Sequence, residues 1–326
     1  MAYKQIKPSI IISRCIEFEA CRYNAQIIRN EFVRKLRPFV DFITVCPEIE
    51  IGLGIPREPI RIIEKKQEKK LVQPATGKDV TKDMNSFAND FLKKNKDIDG
   101  AILKSKSPSC GIKDVKIYPT IEKSAPIYRR NGFFGEKVKN FYSNLAVEDE
   151  LRLLNPVLRD HFLKKIYIFS SFRQKQKKSI NDLIDFHTKN KFLIMSYNQK
   201  NLKIMGNIIA NKEKRQIDDI SFEYEKYLYS SFSKGSRCGS NINILQHAFG
   251  YISQNLKKYE KKLFLDYIKN YEKGLTPVSV PVALLKSWII HYDIDYLKNQ
   301  TFFEPYPVDL LDSEAFNMCS SRDYWK

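Results

Sequence analysis

Three of the chain's six cysteines stand where a thiol can do chemistry. Cys110 closes the stretch Lys104 to Gly111, KSKSPSCG, with hydroxyls, a proline and a glycine around it, directly after the apolar run Gly100 to Leu103. Cys15 follows the run SIIIS (Ser9 to Ser13), and Cys46 follows DFITV (Asp41 to Val45) in the order Val45-Cys46-Pro47-Glu48. In an open α/β sheet, ligands bind beyond the carboxyl ends of the strands. Three thiols far apart in sequence can therefore meet there. Such a trio suits an iron–sulfur cluster with one iron left open, or a zinc ion with a water ligand. No CxxC pair is present, so three unrelated core cysteines are an equal reading of the spacing alone. Glu48, held behind Pro47, stands where a carboxylate can act as acid or base on a bound substrate, and also where one starts a helix. Ser107 and Ser109 place hydroxyls on the Cys110 loop, and Gly111 lets the backbone approach closely. Serines around Pro108 are equally ordinary turn chemistry.

The elements that would position these residues alternate between strand and helix. SIIIS, DFITV and GAIL (Gly100 to Leu103) read as strands, with Val115 to Tyr118 a weaker fourth. Arg22 to Arg37 has helical periodicity, and Thr81 to Asn95 is amphipathic, with Met84, Phe87, Ala88, Phe91 and Leu92 on one face. The pattern predicts an α/β N-terminal domain with a mostly parallel sheet. From about Asp149 the pattern turns helical, opened or broken by Pro156, and continues through the basic segment Arg173 to Lys178. Helices are expected over about Ile180–Tyr197, Ile217–Phe232, Ile242–Leu256, Tyr259–Lys273 and Val282–Tyr292, with Gly274 and Pro277 stopping the fourth. The division reads as 1–150 for the α/β domain, 151–180 for a helical, basic linker, 181–308 for an all-α domain, and 309–326 for a polar tail.

Fifty-six Lys+Arg against 38 Asp+Glu give a formal charge of +18. Both halves share the excess, so it is not a tail effect. A field of that sign attracts polyanions, RNA or DNA foremost, although a lysine-rich proteome gives the same drift. No apolar run approaches the roughly 18–20 residues a membrane span needs, and MAYKQIKPSIII lacks a cleavage-type signal. A soluble, cytoplasmic protein is expected, its cysteines thiols or ligands and not disulfides. GLGIPREP (52–59) lacks a third glycine and a following helix, so no nucleotide cofactor is expected. His187 and His247 fall in predicted helices without zinc spacing and are read as packing residues.

SRC with CRYN shortly after, then VCPE, GLGIPR and KSKSPSCG, together resemble the TudS-type thiouracil desulfidases, domain of unknown function 523, over about residues 5–150. The stretches DFHTKNKFLIMSYNQKNLKIMG (185–206), HAFGYISQNL (247–256), YEKGLTPVSVPVALLKSW (271–288) and FFEPYP (302–307) resemble the YbgA-like domain, domain of unknown function 1722. The fusion is similar to the RudS-type bacterial tRNA 4-thiouridine desulfidases. The resemblance implies a [4Fe-4S] cluster on Cys15, Cys46 and Cys110 with one iron free for the substrate's sulfur. Glu48 would be the acid/base and Ser107 a polar partner of the substrate. Cys21, in CRYN, departs from the family pattern and is expected to be simply buried, the alternative being a spare thiol near the cluster.

A thiolated base in folded RNA must leave its stack to reach such a site. Ser109, Arg22, Tyr23, Arg57, Phe133 and Phe134 are the candidates for a substrate pocket, though aromatics so placed are commonly core. Lys175, Lys177, Lys178, Lys189 and Lys191 are candidates for gripping RNA, with tRNA the expected partner. The leading expectation is a non-redox desulfidase converting 4-thiouridine in tRNA to uridine. The alternatives are a desulfidase of free thiouracil or other thiobases, and a non-catalytic RNA-binding protein with a structural metal.

Overall fold

The computed structural model describes residues 6–175, 179–211 and 214–311. Within it the chain forms two compact units, one of Lys7–Ile166 and one of Tyr167–Val308, short terminal segments aside. The first unit is α/β. Strand β1 (Ser9–Ser13) lies between β2 (Asp41–Val45), which follows helix α1 (Glu31–Leu36), and β6 (Gly100–Leu103). With β9 (Ala146–Asp149) on the far side of β6, the order is β2-β1-β6-β9, and every pairing is parallel. Ile10, Ile11 and Ile12 are fully buried. Parallel strands covered on both faces read as such unbroken β-branched runs. Helix α2 (Pro47–Glu50) follows β2 at once, and α3 (Thr81–Lys94) buries Met84, Ala88 and Leu92 as its periodicity requires.

A second, mixed sheet contains β3 (Arg61–Lys65), β4 (Glu68–Gln73), β5 (Lys78–Asp79), β7 (Val115–Tyr118) and β8 (Tyr128–Arg130) in the order β5-β4-β3-β7-β8. The β3–β4 hairpin was not legible in the sequence. Its two-residue turn is Lys66-Gln67, both with positive φ, a conformation that Asn or Gly usually advertises. Helix α4 (Phe133–Phe141) leads from β8 to β9. The helix expected over Arg22–Arg37 is confined to α1. Residues upstream fold back in a loop, with an Ile16–Ile28 bridge, and Asn30 Oδ1 caps α1 by accepting from the Val33 amide at 2.9 Å.

Helix α5 (Pro156–Lys175) opens at Pro156, the first-turn position a proline tolerates. The second unit is helical: α6 (Ile180–Tyr197), α7 (Gln199–Ala210), α8 (Ile217–Ser231), α9 (Cys238–Ile252), α10 (Lys258–Glu272), α11 (Ser279–His291) and the single turn α12 (Asp295–Lys298). Helix α7 escaped the sequence reading because Asn198 both ends α6 and caps α7, leaving no loop between them. His187 is buried, with Nδ1 3.0 Å from the Tyr224 hydroxyl, and His247 is exposed on α9. No described helix is long and apolar enough to cross a membrane.

Candidate active site

Strands β2, β1 and β6 are neighbours running in one direction, so their carboxyl ends share one edge of the sheet. Cys46 leaves β2, Cys15 leaves β1, and Cys110 sits on the loop that leaves β6. Parallel register sets the three strand ends side by side, and the loop after β6 carries Cys110 to the same cavity. All three are buried and border one cavity of about 270 Å³, together with Cys21, Glu48, Arg57, Ser107 and Ser109. Cys21, fully buried on the loop after β1, hydrogen-bonds with the thiols of Cys15 and Cys46, and the Cys46 thiol lies 3.8 Å from the Cys21 carbonyl. It is therefore both buried and a fourth thiol bordering the cavity, so the two sequence expectations, burial and nearness to the other thiols, go together. The hydrogen bond with Cys15 and burial push the Cys21 thiol up to about 12. Burial pushes Cys110 up to about 12, and the Cys21 contact and burial push Cys46 upward too. Any metal bound here has to displace those protons. Among the described residues, no three His, Cys, Asp or Glu side chains close up as ligands of a single ion.

Glu48 is clamped. Arg57 donates to its Oε2 from Nη2 at 2.7 Å and from Nε at 2.8 Å, with both side chains largely shielded from solvent (4% and 13% exposed). Arg57 also donates to the carbonyls of Cys21 at 3.1 Å and Gly54 at 2.9 Å, tying the loop after β1 to the loop after α2. On the other carboxylate oxygen, Ser109 Oγ donates at 2.6 Å. Its proton being committed there, Ser109 Oγ accepts from Ser107 Oγ, 2.9 Å away. Ser107 Oγ in turn accepts from the amides of Ser109 and Cys110. The hydroxyls thus form a directed chain from Ser107 to Glu48.

The base of the Cys110 loop is fixed by residues the sequence did not single out. Ser13 Oγ accepts from the Lys104 amide at 2.9 Å and hydrogen-bonds with Cys110. Glu150, buried, accepts from Lys104 Nζ and from both the amide and hydroxyl of Ser105, each at 2.7 Å. Its position beside Asp149 and Glu148 in an acidic run gave no hint of this.

Arg22 and Tyr23 border the cavity, the Arg22 guanidinium 5.6 Å from the Tyr23 ring centre and Tyr23 exposed. Phe133 and Phe134 do not. Phe134 is fully buried against Phe87 and Phe91, and Phe133 packs on the same core. Their apolar rings are used to dock α4, and the segment meets the cysteine loop through its backbone and glycines. The amides of Gly132, Phe133 and Gly135 donate to the carbonyls of Gly111, Pro108 and Ser109, so this segment supports the cysteine loop from beneath. A Cβ on Gly135 would stand 2.4 Å from the Gly111 carbonyl oxygen and 2.6 Å from that of Cys110. Only glycine permits that approach.

The proposed RNA lysines lie apart from this chemistry in the chain. Lys189 pairs with Asp185 at 2.8 Å on α6, and Lys191 is exposed. Lys175 is the last residue of α5, and Lys177 and Lys178 lie outside the described residues, as does Cys319.

The family model described as 2-thiouracil desulfurase matches residues 10–150. Over 109 residues the chain is 37% identical to the uncharacterized protein YbbK of Bacillus subtilis (strain 168), an alignment covering 31% of this chain and 72% of that protein. The chain belongs to the 2-thiouracil desulfurase family. Behind its desulfurase-family domain, residues 191–307 match DUF1722, a family of unknown function. The uncharacterized protein YbgA of Escherichia coli (strain K12) is 24% identical over 126 residues, 38% of this chain and 75% of its own length. A solved structure of a [4Fe-4S]-dependent thiouracil desulfidase, TudS, aligns at 25% identity with a TM-score of 0.37, covering 45% of this chain and 94% of its own.

Proposed function

We propose that the protein is a [4Fe-4S]-dependent, non-redox desulfidase that removes sulfur from thiolated uridine in tRNA, converting 4-thiouridine to uridine and releasing sulfide. The observation that carries this reading is the meeting of Cys15, Cys46 and Cys110 at one cavity with an Arg57-clamped Glu48. Thiols without imidazole or amide donors are a soft ligand set of the kind that holds iron–sulfur clusters. Cys15, Cys46 and Cys110 would hold the cluster, with Cys21 beside two of them. Once bound, it would supply a soft Lewis acid for a thiocarbonyl sulfur.

The chain's own residues account for the rest. The reaction exchanges a C=S for a C=O with one water and yields hydrogen sulfide, so no electrons are gained or lost. Glu48 takes the proton of the attacking water. Arg57 fixes its orientation, and the Ser107–Ser109 chain delivers or removes a proton at its other oxygen. Tyr23 and Arg22 offer a ring face and a planar cation at the cavity wall, the groups that stack an extruded base.

The test is anaerobic incubation of the brown, cluster-loaded protein with tRNA containing 4-thiouridine and, separately, with free 4-thiouracil. The expected result is loss of the thiouridine absorbance with one sulfide released per base lost. Turnover of the free base alone would replace the tRNA reading with that of a thiobase desulfidase. A colourless zinc protein that binds tRNA without releasing sulfide would replace it with a non-catalytic RNA-binding role.

A further inference from the structure

A second cavity of about 540 Å³ adjoins the first, and Pro59, Ile60, Lys106 and Pro108 border both. Its other walls come from the face of the mixed sheet across β3, β7 and β8. Ile62 on β3 pairs with Ile117 on β7, so Arg61 and Lys116, one residue earlier on each strand, share the opposite face. Lys116 pairs directly with Arg129 on β8. The register therefore sets three cations in a row, Arg61, Lys116 and Arg129, all lining the cavity, with Lys106 at the junction with the thiol cavity. Against these four, Asp114 is the one carboxylate among the lining residues.

Among the described residues, Lys106, Lys116 and Arg129 take part in no ion pair and are exposed. Arg61 is held in place, its guanidinium 4.1 Å over the Tyr118 ring and Nη1 donating to the Glu122 carbonyl at 3.0 Å. A fixed, weakly hydrated guanidinium beside free ammonium groups is what a phosphodiester selects. Two positive side chains directly opposite each other on adjacent strands repel, so a bound anion between Lys116 and Arg129 relieves a standing cost.

We propose that this groove seats the phosphodiester backbone of an RNA strand next to the nucleotide whose thiolated base enters the thiol cavity. The inference rests on the reading of thiolated RNA as substrate. It places an RNA-gripping surface on the desulfurase-family domain itself, made of residues other than the lysines of the helical unit. A free base would fill the thiol cavity and leave the groove untouched, so the groove discriminates polymer from base.

The test compares the Lys116→Ala/Arg129→Ala protein with wild type and with Lys82→Ala/Lys93→Ala, an equal charge loss on exposed α3 positions. Binding of unthiolated tRNA is followed by fluorescence anisotropy from low to moderate salt, and sulfide release is measured on 4-thiouridine-containing tRNA and on free 4-thiouracil. Losing two phosphate contacts lowers the slope of log K against log salt by about 1.4–1.8 and weakens binding roughly 10–30-fold near 0.15 M salt. The KM for thiolated tRNA should rise correspondingly with kcat held, and the α3 pair should change both far less. Equal losses in the two double variants, or tRNA binding unaffected by Lys116→Ala/Arg129→Ala, would overturn the groove. Weakened tRNA binding in a system where wild type releases no sulfide from thiolated tRNA would keep the groove and sink the desulfidase reading instead.

Discussion

Replacing Arg57 with methionine isolates what holds Glu48 in place. The substitution keeps most of the side chain's apolar volume and removes both donors to the carboxylate, plus those to the Cys21 and Gly54 carbonyls. With Arg57 at 4% and Glu48 at 13% exposure, the pair is shielded, and removing one partner strands the other. Breaking such a buried pair costs about 3–5 kcal/mol. At about 2–4 °C per kcal/mol for a domain of this size, the melting temperature should fall by roughly 6–20 °C. The stranded carboxylate carries most of that cost. Adding Glu48→Gln to Arg57→Met should therefore recover stability, and the double-mutant cycle should show about 2 kcal/mol or more of coupling. Thermal and urea unfolding of the four full-length proteins measure it. Additive single effects, or an Arg57→Met cost under about 1 kcal/mol, would show that the pair is solvated and that Arg57 does not position Glu48.

The other predictions concern the acid/base, the loop support and a buried histidine. Glu48→Ala should retain the visible absorption of the cluster and lose sulfide release, whereas Cys110→Ala should lose both; a fully active Glu48→Ala protein would remove the acid/base assignment. Gly135→Ala pushes a methyl into the Gly111 and Cys110 carbonyls. Turnover should fall on the order of 10²-fold from misplacement of the loop, while the circular dichroism spectrum persists. His187, buried beside Tyr224, is held down to about 4 from an ordinary 6.5 by burial. The unfolded chain then takes up a proton between those pH values that the folded chain refuses. The stability contribution is whole above pH 6.5 and is lost as pH falls toward 4, amounting to about 3 kcal/mol. Denaturant midpoints at pH 7 and pH 4.5 should show this fall, and His187→Gln should flatten it.

Sequence alone located the strands that precede Cys15, Cys46 and Cys110, because SIIIS, DFITV and GAIL are short, largely apolar runs whose length suits a strand. It also located most helices of the second unit, whose apolar spacing is a local property. The carboxylate behind Pro47 and the hydroxyls around Pro108 were visible as residues of the right chemical type. What it left open was which of them touch. Whether Cys21 sits among the other thiols depends on how the loop after β1 folds back, and no periodicity encodes that path. Phe133 and Phe134 stand open to either a pocket or a core role, because aromatic residues look alike in a core and at a binding wall; packing of Phe134 against Phe87 and Phe91 decides for the core. Glu150, Ser13 and the cation row of Arg61, Lys116 and Arg129 come from positions 13 to 137 residues apart on the chain, brought near by strand pairing. Local composition fixes which side chains are available, whereas register, a long-range property of hydrogen-bonded strands, fixes which of them face one another.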